Sequence, residues 1–373
     1  MTREPNKPMV RLHLTNVAGA GATQLLLSLL PALERDSGVV ISRIELPDRG
    51  LLSTYRSEHV NTVIAVYRRR VSNALSRVLE CVLLSGKFDG VTPLLVLGDL
   101  PLRCKCPQIV FVQTPNLIVP KGGKLRLSSF RYLVARAIFR FNLKRVQAFI
   151  VQTNVMKAEL ERSYPFVVGR VHVIAQPVPD WLLKSGLRRV GRIVDKSVDA
   201  LHLIYPAAGY PHKNHALLSS IDRQQVWPVK SLDLTLDLAA HPASYLDWVR
   251  CKGFLSAAQM IESYASVDAV LFLSKEESYG FPLIEAMFVG LPIVCPDLPY
   301  ARILCGDQAI YFDPDSAESL RAALLELMHR ITQGWWPNWH AQLMIIPKDW
   351  ETVARQMLSV TVHDATFAVS VNK

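Results

Sequence analysis

The chain has 373 residues, half of them hydrophobic and a fifth charged, with a formal net charge of +10 at pH 7. Domains run to about 100–200 residues, so two are expected, each with a sizeable core, and the composition excludes a disordered protein. The six cysteines are too few to staple a chain of this length, no apolar run reaches the roughly 18 residues that span a bilayer, and the basic excess favours anions without choosing among nucleic acid, lipid and phosphorylated ligand.

No apolar signal core precedes the first strand-like run, so the protein is expected to be cytoplasmic. Val10–Val17 reads as a buried strand, Gly19–Gly21 as a tight turn and Thr23–Leu30 as a helix that ends or kinks near Pro31. Short apolar runs follow at Leu94–Leu97, Gln108–Gln113, Ala148–Gln152 and Val171–Ala175, with a helix over Asn154–Ser163. Strands alternating with helices predict a parallel sheet covered on both faces. Cys104 and Cys106 form a CxC pair with no second pair at zinc-site spacing and read as reduced thiols.

Eight Lys or Arg residues and no acid lie between Lys121 and Arg145. Within that stretch Phe130, Leu133, Val134, Ala137, Ile138 and Phe141 fall at helical spacing, with Arg131, Arg136 and Arg140 off the stripe. Two readings stand side by side: a domain helix facing a core, or a helix over residues 126–145 lying on an anionic membrane surface.

Pro177 and Pro179, followed by the basic stretch Lys184–Lys196, mark a boundary. The expected organisation is an N-terminal domain over 1–180 joined by a final helix at 350–362, a linker over 181–199 and a second domain over 200–349. In the second domain Leu201–Tyr205 reads as a strand, His215–Ser220 as the start of a helix and Leu232–Leu238 as a strand. Ala257–Ser266 reads as a helix, Ala269–Leu273 as a strand, Pro282–Val289 as a helix and Pro292–Cys295 as a strand. Ser316–Ile331 is a helix with its N-cap signal at Asp315 and Ser316. Two similar α/β halves result, with ligands expected at the carboxyl ends of the strands.

The densest chemistry lies in LFLSKEESYGFPLIEAMFVGLPIVCPDLP, Leu271 to Pro299. A strand ends near Ser274, a loop carries Glu276 and Glu277, and Gly280, Phe281 and Pro282 turn into a helix bearing Glu285. Pro282 suits a first helical turn. N–H groups around Phe281–Leu283, at the positive end of that helix, suit a diphosphate. Glu285 can accept from a ribose diol and Glu277 from sugar hydroxyls. Taken singly, these acids read as solvated helix-start charges; the flanking strands and the GFP turn favour a site.

This segment resembles the E-x7-E signature of retaining GT-B glycosyltransferases, family 4, whose pattern reads like SxxEGFGLPxxEAMAxGxPVV. Glu277 and Glu285 match its two glutamates, and Gly280 and Pro282 its second Gly and Pro; Ser278 stands where the family has its first Gly and Tyr279 where it has Phe. The stretch from Cys251 to Ser274 and the helix at Trp350 are also similar to family segments, so the resemblance runs from about Tyr205 to Val360. In YPAAGYPHKNHALL, from Tyr205, Lys213 matches the Lys of the family's diphosphate loop, Ala207 and Ala208 occupy the region of its Arg, and Arg250 and His212 are candidate substitutes. Gly19 and Gly21 resemble the family's glycine-rich loop, and Gln113 lies where members often carry a His near the transferred sugar.

The resemblance implies an α/β GT-B fold, two Rossmann-like domains facing a central cleft, the first on the acceptor side. It implies a hexosyltransferase that moves a sugar from a nucleotide-sugar to a glycan or lipid-linked acceptor with retention, in surface polysaccharide or lipopolysaccharide synthesis. Lys213 and Glu277 are then catalytic. Glu285, Gly280, Phe281, Pro282, Leu283 and Ser278 bind the donor, and Gly19, Gly21 and Gln113 face the acceptor or phosphate. No cofactor and no obligatory metal is expected: Asp313-Pro314-Asp315 spells DxD but reads as a helix cap, and His212 with His215 lacks an acidic partner. Nucleic acid is not expected as a partner, and attachment to the inner face of the cell membrane would follow from the surface reading of 126–145. A sugar-nucleotide epimerase, a phosphorylase and a non-catalytic sugar-nucleotide binder are the competing readings.

Overall fold

The computed structural model describes residues 7–17, 19–68, 74–119, 130–192, 200–222 and 226–371. Lys121, Lys124 and Arg126, residues 126–129 of the basic segment and residues 193–199 of the expected linker lie outside the described residues. The chain divides into two compact units, Met1–Gln176 with Pro347–Lys373, and Pro177–Ile346.

The first unit is built on strands β1 (Met9–His13), β2 (Val40–Pro47), β3 (Val63–Tyr67), β4 (Leu94–Val96), β5 (Gln108–Phe111), β6 (Val146–Val151) and β7 (Val171–Val173). They run in the order β3-β2-β1-β4-β5-β6-β7, all parallel. Parallel strands buried on both faces are near-continuous apolar runs, and Leu94, Leu95, Val96, Ile109, Val110 and Phe111 are all buried. Helices α1 (Ala20–Arg35), α2 (Ala74–Val78), α3 (Phe130–Asn142) and α4 (Asn154–Ser163) connect them. β1 ends at His13, so Leu14–Val17 forms the loop beyond the strand and not its continuation. α1 runs past Pro31 to Arg35. The missing Pro31 donor is offset by burial of Leu25, Leu26, Leu29, Leu30, Ala32 and Leu33.

The second unit holds β8 (Leu201–Tyr205), β9 (Val229–Leu234), β10 (Val249–Cys251), β11 (Ala269–Leu271), β12 (Ile293–Pro296) and β13 (Ile310–Phe312). Their order is β10-β9-β8-β11-β12-β13, again parallel. Its helices are α5 (Asp180–Ser185), α6 (Ala257–Ser266), α7 (Phe281–Val289), α8 (Pro299–Cys305), α9 (Ala317–Thr332) and α10 (His340–Met344). The last helix, α11 (Trp350–Val371), packs in the first unit on α1, β5, β6 and β1, burying Trp350, Val353, Ala354, Met357 and Leu358. Arg35 to Glu351 at 2.7 Å and His172 to Asp364 at 2.9 Å join it there.

Three local expectations are revised. His215–Ser220 is a 3-10 helix, entered through Asn214 in the left-handed region at φ +57°. The strand expected to reach Leu238 stops at Leu234, with a 3-10 turn at Leu238–Ala240. The described part of the expected linker is α5 and a strap bonded into the second unit. Arg189 N–H donates to Val289 O at 2.6 Å, its guanidinium donates to the carbonyls of Ala265 and Val267, and Arg192 pairs with buried Asp268 at 3.0 Å. A polar, basic composition conceals such bonding, because Arg189 spends its donors on the carbonyls that end α6 and Arg192 on a buried carboxylate. Among the described residues no helix is long and apolar enough to cross a membrane.

Candidate active site

In the second unit the strand order reverses between β8 and β11. Loops that leave adjacent strands at such a switch point diverge and leave room for a ligand beyond the strand ends. Both loops carry sequence-predicted residues. The loop after β8 holds Lys213, whose carbonyl accepts from the buried Tyr205 hydroxyl at 2.8 Å. The loop after β11 holds Glu277. The loops are bonded together, with Lys275 N–H donating to His212 O at 2.8 Å and Ser274 Oγ to the same oxygen at 3.4 Å. The Tyr300 hydroxyl donates to Ser274 O, fixing the second loop from α8. Burial first, and then the negative charge of Glu277, hold the Tyr205 and Tyr300 phenols far above their ordinary range, so both remain donors.

This frame brings the Lys213 ammonium onto the Glu277 carboxylate, both largely buried. His212 stacks on Tyr210 with ring centroids 5.6 Å apart, and burial followed by Lys213 lowers its pKa. His215 is pushed down to about 4 by burial, and its Nε2 lies 3.2 Å from Ala208 O. Among the described residues no group of three His, Cys, Asp or Glu could hold a metal. Arg250, on the edge strand β10, donates through Nε to Asp233 at 2.6 Å and through Nη2 to Ser231 at 2.8 Å. Ser316 Oγ accepts from Ser319 N–H at 3.1 Å and caps α9, while Asp315 pairs with Lys275.

Gly280 starts α7 from the left-handed region at φ +86°, which a residue with a Cβ would adopt at a cost. Of the three predicted anion-binding positions, Pro282 has no N–H and Leu283 N–H donates to Gly280 O at 2.9 Å. Phe281 N–H is the one left, at the positive end of the helix dipole. Ser278 lies partly buried between Glu277 and Gly280, and Tyr279 packs edge-on against Phe281 at 5.0 Å. Glu285 sits in the first half of α7 and is 8% exposed. Its Oε2 accepts from the Tyr264 hydroxyl of α6 at 2.6 Å, and its Oε1 has no partner among the described residues. Burial pushes Glu285 up to about 7, with the Tyr264 bond pulling the other way.

The first unit has its own switch point, between β1 and β4. Gly19 is the N-cap of α1 and Gly21 lies in its first turn; a Cβ built on either meets nothing within 4 Å. Gln113 is 9% exposed, and its amide donates to Leu97 O at 2.9 Å. The polar group at the end of β4 is Asp99, which the sequence presents only as the close of an apolar run. Its Oδ1 accepts from Gln113 N–H at 2.5 Å and Thr114 N–H at 3.1 Å, and its backbone is left-handed at φ +66°. Burial raises its carboxyl to about 6, against the pull of those two bonds. Gly98 beside it permits a close approach, since a Cβ there would lie 2.9 Å from Asn16 Cβ.

Residues 230–330, which span β9 to most of α9, match the family model described as Glycosyl transferases group 1. The match covers about a quarter of the chain, all of it in the second unit. An O-antigen chain mannosyltransferase, RfbU, of Salmonella typhimurium strain LT2 is 22% identical over 199 residues, 51% of this chain and 53% of that protein. The chain spans about half or less of the length of the curated relatives it matches first. Sucrose-phosphate synthase from Thermosynechococcus elongatus matches 98% of the chain and 100% of its own, with TM-score 0.67 and 15% identity. WaaG, a glycosyltransferase involved in lipopolysaccharide biosynthesis, matches 96% and 99%, with TM-score 0.61 and 13% identity. At these identities the likeness is one of fold, and it identifies the two doubly wound units as GT-B. The matched residues contain Glu277, Glu285 and the start of α7, whereas Lys213 lies before them.

Proposed function

We propose that the protein transfers a hexose from a nucleotide-sugar to a glycan or lipid-linked acceptor, with retention of configuration, in O-antigen or related lipopolysaccharide assembly. The observation that carries this reading is the meeting of Lys213 and Glu277 at the β8/β11 switch point, on the loop that leads into α7. Mannose is the sugar favoured, from the mannosyltransferase names of the curated relatives.

Transfer requires the departing diphosphate to take up negative charge. Lys213 and the Phe281 N–H are suited to stabilise it, preorganised in a site where little charge reorganisation is needed. With the donor absent, Glu277 neutralises Lys213; with it bound, the lysine turns to phosphate and the carboxylate accepts from hydroxyls of the sugar. Glu285, through Oε1, accepts from the ribose. The departing diphosphate then takes the acceptor's proton as the acceptor attacks the same face of the sugar. No step calls on a metal.

The acceptor reading extends to α3, where Leu133, Ala137 and Phe141 are exposed one turn apart, next to exposed Arg140, Lys144 and Arg145. Its buried side is Ala135, Ile138 and Phe139, so one helix serves a core and leaves a basic, apolar ridge outside. Arg136 donates to Asn116 O at 3.0 Å. We assign that ridge to an anionic bilayer surface carrying a lipid-linked acceptor.

Transfer from GDP-mannose to a membrane-extracted acceptor is the test of the activity. Glu277→Ala is expected to lower it at least about a hundredfold, the size of losing one preorganised charge contact. Undiminished transfer by Glu277→Ala would remove Glu277 from the mechanism, and no transfer by the native protein from any of GDP-, UDP- or ADP-sugars would favour the non-catalytic reading.

A further inference from the structure

We infer that Tyr264 is a positioning residue for Glu285: it fixes one carboxylate oxygen, leaves Oε1 as the single acceptor offered to a ligand hydroxyl, and thereby sets the pH below which the donor is released. This deepens the donor-site reading above and rests on it.

Three observations meet here. Tyr264 is fully buried in α6, whose start is fixed by a capping box between Ser256 and Gln259, so its hydroxyl approaches Glu285 from a rigid element. The bond is 2.6 Å, the length of a charge-assisted O–H···O contact. Glu285 is itself more than nine-tenths buried, and its remaining oxygen has no partner among the described residues. Oε1 is not one of the buried atoms left without a partner, so it is accessible and open to accept from a ligand hydroxyl. The carboxylate must be ionised to accept there while accepting from Tyr264, and burial works against ionisation, bringing Glu285 to about 7. Among the elements packed on α7, β11 has no titratable side chain, β12 has Cys295, α8 has Tyr300, Arg302 and Cys305, α10 has His340, α6 has Glu262 beside Tyr264, and the strap before residue 193 brings Arg188 onto Phe288 and Arg189 onto Val289. Of these and Tyr264, only Tyr264 bears on the ionisation of Glu285.

The sign follows. A hydrogen bond to the ionised form favours it, so removing the Tyr264 hydroxyl raises the Glu285 pKa further. Apparent affinity scales with the ionised fraction. The experiment is calorimetric titration of GDP-mannose and UDP-glucose, whose diphosphate diesters do not titrate near neutrality, from pH 5.5 to 8.5. The native protein, Tyr264→Phe and Glu285→Gln are compared. Native affinity is expected to fall toward acid with a midpoint near 7. In Tyr264→Phe the midpoint moves up by about one unit, so affinity drops about fivefold at pH 7 and returns toward the native value at pH 8.5. A Tyr264→Phe profile that superimposes on the native one, or that is lowered equally at every pH, overturns the inference. A native profile flat from 5.5 to 8.5 overturns it without any variant. If Glu285→Gln binds as the native protein does at all pH values, the donor-site reading itself falls, and that outcome is distinct from a failure confined to Tyr264.

Discussion

Asp99 is a carboxylate held where its charge is disfavoured: ordinary acids of its type titrate near 3.8, and burial brings this one to about 6. Its folded pKa lies above its unfolded one, so the ionised group costs stability, fully above about 6 and not at all below about 3.8. Asn at this position keeps an oxygen to accept from Gln113 and Thr114 and carries no charge. Asp99→Asn is therefore expected to raise the Tm at pH 7.5, by a free energy of about 1–3 kcal/mol, with a gain that shrinks as the pH falls toward 5. Melting curves across that range would contradict this if the variant were the less stable at pH 7.5. The sequence shows Asp99 only as the end of an apolar run, because neither its left-handed backbone nor the two N–H groups converging on it leave a local pattern. Glu277 and Lys213 are legible for the opposite reason: each sits in a turn-rich loop directly after a buried strand, and that grammar survives without coordinates. Tyr264 shows a third case. It reads as one more apolar position of an amphipathic helix, and only the fold brings its hydroxyl to Glu285.

Among the elements, α7 was the most readable. Gly280, Pro282 and Gly290 bracket it, and both glycines adopt positive φ, at +86° and +89°. At Gly290 a Cβ would lie 2.2 Å from Arg189 O, so the glycine also admits the strap that precedes residue 193. That second role was invisible in the sequence, since it depends on a chain segment a hundred residues earlier. Periodicity alone gives the basic helix α3 two readings. Its described side chains serve both: Ile138 and Phe139 are buried while Leu133 and Phe141 are exposed. For the outer ridge, each basic residue near an anionic surface is worth about 1 kcal/mol. Arg140→Glu with Lys144→Glu is then expected to reduce binding to phosphatidylglycerol vesicles at least about tenfold, and to leave binding to neutral vesicles unchanged. Co-sedimentation that is indifferent to this reversal would return α3 to a purely structural role.

At the scale of the whole molecule, the alternation of short apolar runs with helical stretches was enough to foresee two doubly wound parallel sheets. Periodicity separates buried parallel strands from amphipathic helices wherever helices cover both faces. The strand orders, and with them the two switch points, were not readable, because they depend on which strands pair and not on what each contains. The β8/β11 switch point is what gives the sequence motif its meaning: it turns a lysine and a glutamate 64 residues apart into one ion pair. The basic excess of the chain fits an anionic ligand and an anionic surface without being evidence for either.

The most direct test of the proposed diphosphate site is calorimetric titration of GDP-mannose into the native protein and into Lys213→Ala at fixed ionic strength. The expected result is measurable binding to the native protein and a Kd weaker by about ten- to a hundredfold in the variant, the loss of one charge-assisted contact to phosphate. Equal Kd values for the two proteins would contradict it.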